Sequence, residues 1–250
     1  MMFVDSIVSF TKSLHRNFLI TSLVLLFIAM PSFGQSLTPK DIEMQMSKVH
    51  RVGLLPLKMQ IVEIFPGNLV ETREDWTDKA KEVTVQILRD YFQNNPLSLT
   101  DLTSENKPES YDEIIALFER VAFTLNAGVM DNASIVSLPG RAEDFDYTLG
   151  DVSSLFTRED LDAILLVTGS DGHLTTGRKI SEGASAVFKL MFGVVDFANP
   201  QGVVNMALVS KSGDILWYGS DSFSGTDFRE YNIHQYLMGR ILEGFPSAER

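Results

Sequence analysis

"DAILLVTGSDGHLTTGRK", Asp162 to Lys179, is the stretch whose reading decides the fold. Ala163 to Thr168 is an uninterrupted run of apolar and β-branched residues, and such a run fits a strand covered on both faces by helices. The glycines, serine, aspartate and threonines that follow carry turn chemistry. The expectation is therefore a buried strand over 163–168 that leaves its sheet through a polar surface loop over 169–179. Such a strand, with the helical patterns around it, is expected in a single α/β domain whose mixed β-sheet is covered by helices.

The segments on either side fit that plan. "VHRVGLLPL", Val49 to Leu57, reads as a central strand stopped by Pro56, and "MQIVEIF", Met59 to Phe65, continues extended to the turn at Pro66-Gly67. Trp76, Ala80, Val83, Ile87 and Tyr91 recur at helical spacing behind Thr72 and Asp75, which resemble a capping box; Asn94-Asn95-Pro96 ends that helix. "LSLTDL", Leu97 to Leu102, alternates as a half-exposed strand. A second helix is expected from Ser110 and Glu113, with Ile114, Leu117, Val121 and Leu125 on its buried stripe and Gly128 as its stop. Met130 to Gly150 reads as a long surface connection, and "SLFTREDLD" as a short helix before the central strand. "VVNMALVSKSGDILWYGSD" is a hairpin turning at Ser212-Gly213, with Trp217 as a packing residue. Ile233, Leu237 and Ile241, with Met238 and Phe245 beside them, form the apolar face of a last helix.

The amino terminus speaks to destination. Phe18 to Met30 is an apolar run preceded by Lys12, His15 and Arg16 and followed by "PSFGQS", the pattern of a secretory signal, with cleavage expected after Gly34. The run is shorter than the ~20 apolar residues a membrane-spanning helix needs, so no transmembrane segment is expected after processing. The expected organisation is a signal peptide over 1–34, a flexible lead-in over 35–48, in which "TPKDIEMQMSKV" could instead form a short helix opened by Thr38 and Pro39, and one α/β domain over 49–250.

The 250-residue chain has 21 basic and 33 acidic residues, a formal net charge of −12. Removing the signal takes Lys12, Arg16 and Asp5 and leaves the remainder one charge more negative. That balance disfavours nucleic acid and anionic membrane surfaces as partners. The chain has no cysteine, so disulfides, thiol catalysis and amino-terminal lipidation on cysteine are excluded. Export without disulfides fits a bacterial periplasm.

The opening "HRVGLLPL" strand, the amphipathic helix after it, the "DAILLVTGSDG" strand and the "MALVSKSGDILWYG" hairpin together resemble envelope proteins related to the curli secretion component CsgG. The activator LpoB and the amino-terminal domain of TolB share that architecture. The resemblance spans roughly Val49 to Tyr218 and implies a three-layer α/β domain, a mixed sheet flanked by helices, that works through protein contacts in the cell envelope without catalytic residues. It also implies a place beside an outer-membrane secretion or transport system. The chain departs from the many relatives that are lipoproteins, having no cysteine to modify, and lacks the long alternating hairpins of the curli channel.

Two stretches are the candidate contact surfaces for a partner or ligand. The first is Ser170, Asp171, His173, Thr175, Thr176 and Arg178, in the expected 169–179 loop. Neither G-x-x-x-x-G-K-[ST] nor G-x-G-x-x-G occurs there. Asp171 and His173 could share a metal, but two ligands are too few without distant partners. No cofactor is expected. The second is the apolar segment Ala186 to Phe197, where Phe188, Met191 and Phe192 would either fill the core or dock an envelope protein or a second copy of this chain. Without a G-x-S-x-G elbow or an H-E-x-x-H helix the chain is not read as an enzyme. The alternative is an exported enzyme or small-ligand-binding protein using the 169–179 loop.

Overall fold

The computed structural model describes residues 34–65, 69–103, 109–130, 145–156, 160–175 and 201–246. Its axis is one long strand, β6 (Ala163–Leu174), numbered by its place in the chain. The first half of β6 pairs in parallel with β2 (Arg51–Leu54), and its second half with β3 (Lys58–Ile64). These two are one strand interrupted by Leu55-Pro56-Leu57. Leu54 lies opposite Leu165 and Lys58 opposite Thr168, so three residues of one strand face two of the other. Such a bulge is where a sheet tolerates proline, which has no N–H to give.

Against the other edge of β6 runs the hairpin β7 (Gln201–Ser210) and β8 (Ile215–Ser224), both steps antiparallel. Its turn holds Gly213 at φ 89°, and a Cβ there would lie 1.8 Å from the Gly150 carbonyl oxygen, so glycine is required twice over. β1 (Gln35–Leu37) adds antiparallel to the outer edge of β8. At the far side β5 (Ser98–Asp101) joins β2 in parallel and β4 (Val70–Thr72) joins β3 antiparallel. The result is an eight-stranded mixed sheet.

Side chains alternate along β6 into two cores. Ala163, Leu165 and Val167 face α1 (Ile42–Met46), α2 (Glu74–Gln93) and α4 (Tyr231–Leu242), meeting Met46, Ala80, Ile87, Leu88, Leu237, Met238 and Trp217. Ile164 and Leu166 face α3 (Glu109–Met130) and the 3-10 turn Ser153–Phe156, meeting Phe118, Ala122, Leu125 and Leu155. Helices thus cover both faces, and the domain is the expected three-layer α/β arrangement around a mixed sheet.

Several expectations need correction. The stretch 35–48 is no lead-in: β1 is paired to β8, and Met46 is packed in the core. The order comes from partners that no local pattern reveals. The Trp217 indole N–H donates to Ser36 Oγ at 3.0 Å, and Ser36 Oγ donates to the Gly244 carbonyl at 3.0 Å. Ser36→Ala leaves both partners unpaired, and chemical denaturation should show a loss of about 1–3 kcal/mol.

Thr72 does not cap α2. It belongs to β4, its hydroxyl accepts from Gln60 Nε2 at 2.9 Å, and the Asp75 carboxylate is occupied by Arg73. Gly128 does not stop α3, which continues to Met130, and Ser110 lies inside the helix. The buried stripe of α3 is Tyr111, Ile115, Phe118, Ala122 and Leu125, rotated from the expected one and leaving Leu117 exposed. Both stripes have helical spacing; burying two aromatic rings removes more apolar area from water than the alternative. Ile233 is likewise exposed on α4, although Leu237, Met238, Ile241 and Phe245 are buried as expected. Trp217 is fully buried, the packing residue expected of it.

Candidate functional site

The largest correction falls on the candidate loop. Gly169 to Leu174 is not loop but the second half of β6, parallel to β3 over six residue pairs and antiparallel to β7 as far as Ser170. The residues that look like turn formers are there for space and for hydrogen bonds. A Cβ on Gly169 would lie 3.2 Å from Met59 Cε and 3.3 Å from the Val203 carbonyl oxygen. Ser170 and Asp171 are buried, at 4% and 1% exposure. Thr175 ends the strand with its N–H and its hydroxyl both donating to the Ile64 carbonyl. Of the other candidates, Thr176, Arg178, Phe188, Met191 and Phe192 lie outside the described residues.

Asp171 and His173 share the face of β6 that looks toward α2. Asp171 is held from three sides: Oδ1 accepts from Thr226 Oγ1 at 2.8 Å, and Oδ2 accepts from the Phe228 N–H at 3.1 Å. His173 Nε2 is 3.0 Å from the same Oδ2. The turn between β8 and α4 also supplies Asp227, whose Oδ1 lies 4.0 Å from His173 Nε2. Burial pushes the Asp227 carboxyl up, but the fork of Arg229 on both its oxygens outweighs this and holds it below the usual carboxylate range.

Trp76, in the first turn of α2, closes the cluster. His173 meets its ring edge-on at 5.6 Å, and the guanidiniums of Arg73 and Arg229 stand 4.1 and 4.0 Å from its centroid. Each guanidinium stands within cation–π range of the indole, which favours both cations. Arg73 in turn pairs with Glu63 and Asp75. The cluster thus ties β3, β6, α2 and the β8–α4 turn together through ion pairs and hydrogen bonds.

Asp171, His173 and Asp227 bring three ligand atoms within 4.8 Å of one another, supplying the distant partner that sequence spacing lacked. The donor set suits a divalent metal. The same atoms already hold hydrogen bonds, Asp171 with Thr226, Phe228 and His173, and Asp227 with the Arg229 fork, so a metal here would compete with them. Sequence reasoning missed Trp76, Asp227 and Arg229, because Trp76 counts as one helix stripe residue among five and "TDFR", Thr226 to Arg229, carries no motif.

On the opposite face of β6, Thr168 and Ser170 line a cavity of about 140 Å³ between β3, β7 and α3. Behind it stands a ring of polar side chains. Tyr218 OH donates to Asn126 Oδ1 at 2.8 Å, while Asn126 Nδ2 at 2.9 Å and Ser220 Oγ at 2.8 Å donate to Asn205 Oδ1. Full burial drives the Tyr218 phenol far above its ordinary pKa, so it stays a neutral donor.

No family model matches the chain, and no curated protein matches it. Among solved structures it is similar to a PelC dodecamer from Paraburkholderia phytofirmans, with 11% identity over 86% of this chain and 99% of that one at a TM-score of 0.35. A dodecamer of a single-substitution PelC variant from the same organism gives 10% identity over 79% of this chain and 89% of that one at a TM-score of 0.32. Among the described residues no helix is long and apolar enough to cross a membrane.

Proposed function

We propose that the protein is an exported, non-catalytic interaction and assembly factor of the bacterial cell envelope. In this reading it is processed after Gly34, resides in the periplasm and is accessory to an outer-membrane secretion or transport system, as its resemblance to the CsgG-related domains implies. The observation that carries the reading is a surface. Phe223 on β8 and Tyr236 on α4 are exposed by 40% and 59%, and their rings meet edge-on at 6.0 Å. Ile233, exposed by 42%, lies three residues before Tyr236 on the same helix. Arg240 stands over the Tyr236 ring and pairs with the largely buried Asp221. Large aromatic side chains beside an arginine held in place by a carboxylate are the composition of an interface hot spot.

The test places a photocrosslinking amino acid at Tyr236 and, as a control, at Lys81 in the native host. Expected is a discrete adduct with an envelope protein, or with a second copy of the chain, from position 236 alone. Equal or absent crosslinking at both positions counts against the reading. Sequencing the amino terminus of the protein from that host should begin at Gln35; a retained Met1 or Met2 in a membrane fraction would defeat the export step.

A further inference from the structure

The cavity between α3 and the second half of β6 has a volume of about 140 Å³, room for several waters. Its lining mixes hydrogen-bonding groups, Asn126, Asn205, Thr168 and Ser170, with the Phe123 ring. Asn126, Thr168 and Ser170 are themselves buried, while Phe123 is half exposed.

The polar groups are held rather than loose. The bonds from Asn126 Nδ2 to Asn205 Oδ1 and from Asn205 Nδ2 to Thr168 Oγ1 use one N–H of each amide. Each amide carries two, so each retains a donor beyond this ring. Tyr218 and Ser220 fix both amides from behind. A ligand that displaces water from such a lining must restore several hydrogen bonds at once. It must also be flat and apolar enough on one side to lie against Phe123.

Lys58 and Glu119 also line the cavity. They bring one charge of each sign, which gives an ion of either sign no net advantage.

We propose that this cavity binds one neutral, hydroxyl-rich ring, a sugar residue free or at the end of a glycan. Such a ring offers donors and acceptors around its rim for the amides and hydroxyls and a C–H face for Phe123. This goes beyond the protein-contact reading and is independent of it, since Phe223, Ile233 and Tyr236 take no part in the cavity.

The experiment is calorimetric titration of the purified protein with glucose, galactose and N-acetylglucosamine. Glycine serves as the zwitterionic comparison and cyclohexanol as the apolar one. Expected is saturable binding of at least one sugar with a Kd of about 1 mM or tighter, and none of glycine or cyclohexanol. Phe123→Ala should weaken that binding by about tenfold with the melting temperature unchanged, because the side chain is exposed. Ser170→Ala should weaken it too, and Tyr236→Ala should leave it as it was. The proposal is overturned if no sugar saturates, if glycine or cyclohexanol binds as well as the sugars, or if Phe123→Ala and Ser170→Ala bind sugar like the parent. Loss of crosslinking at position 236 with sugar binding intact would strike only the protein-contact reading.

Discussion

Asp171→Ala is expected to destabilise the protein by about 3–5 kcal/mol in chemical denaturation. The carboxylate is 1% exposed, and its removal strands the buried Thr226 hydroxyl and Phe228 N–H and takes from the partly exposed His173 ring its Nε2 partner. Each stranded buried donor costs about 1–3 kcal/mol, more where the lost acceptor is a carboxylate. Asp171→Asn keeps one acceptor oxygen and should recover part of the loss. His173→Ala should cost less, since its ring is partly exposed and leaves Thr226 and Phe228 paired. A change within about 0.5 kcal/mol for Asp171→Ala, the usual range for surface substitutions, would show that this end of β6 is open loop after all.

Acidification should destabilise the protein through His234. Its ring is fully buried on α4 and lies 4.3 Å from Phe228, with Nε2 2.8 Å from Thr84 Oγ1. The Thr84 hydroxyl proton is given to the Ala80 carbonyl at 2.7 Å, so the histidine holds its proton on Nε2. Nδ1 then has no partner, and burial pushes the pKa down to about 3. An unfolded histidine titrates near 6.5. Between those values the unfolded chain binds a proton that the folded one does not, so stability is whole above about pH 6.5 and falls as pH drops toward 3. The slope approaches about 1.4 kcal/mol per pH unit. Asp227, held below its ordinary pKa, acts in the same direction only at the acid end of that range. His234→Gln can still donate to Thr84 but does not titrate. Urea denaturation at a series of pH values should show its stability flat where the parent's falls between pH 6 and 4.5. Parallel curves for the two proteins would sink the assignment.

The fold was legible wherever burial leaves a periodic mark. The β2 run, the first half of β6, the glycine turn at 213, the buried stripe of α2 and that of α4 apart from Ile233 follow from spacing and composition, because burial on both faces or one stripe demands apolar residues there. Legibility failed where polar residues are buried. Gly169, Ser170, Asp171 and Gly172 carry the same letters as a surface loop, and only their pairing with β3, joined by β7 as far as Ser170, makes them strand. It failed also where two stripes competed on α3, since Leu117 and Phe118 are both apolar and the choice between them belongs to the facing surface.

The candidate site was half visible. Asp171 and His173 were singled out by their own chemistry, but their partners come from Trp76, nearly a hundred positions before, and from Thr226 to Arg229, more than fifty after. The cavity on the other face assembles Asn126, Thr168 and Asn205 from three separate elements, none of which stands out by itself in the sequence.

By itself the sequence determined the three-layer α/β class, the absence of thiol chemistry, the hairpin with its glycine turn and the burial of Trp217. Each depends on residues near one another in the chain, or on composition, and so survives without a structure. Only the tertiary structure decided that β6 runs on to Leu174, that residues 35–37 form an edge strand tied to Trp217 through Ser36, and that Asp171 is an internal anchor rather than a surface contact. Those outcomes turn on hydrogen bonds between residues dozens to nearly two hundred positions apart. A buried polar group is stable only when its partners are present, and the partners are supplied by the fold.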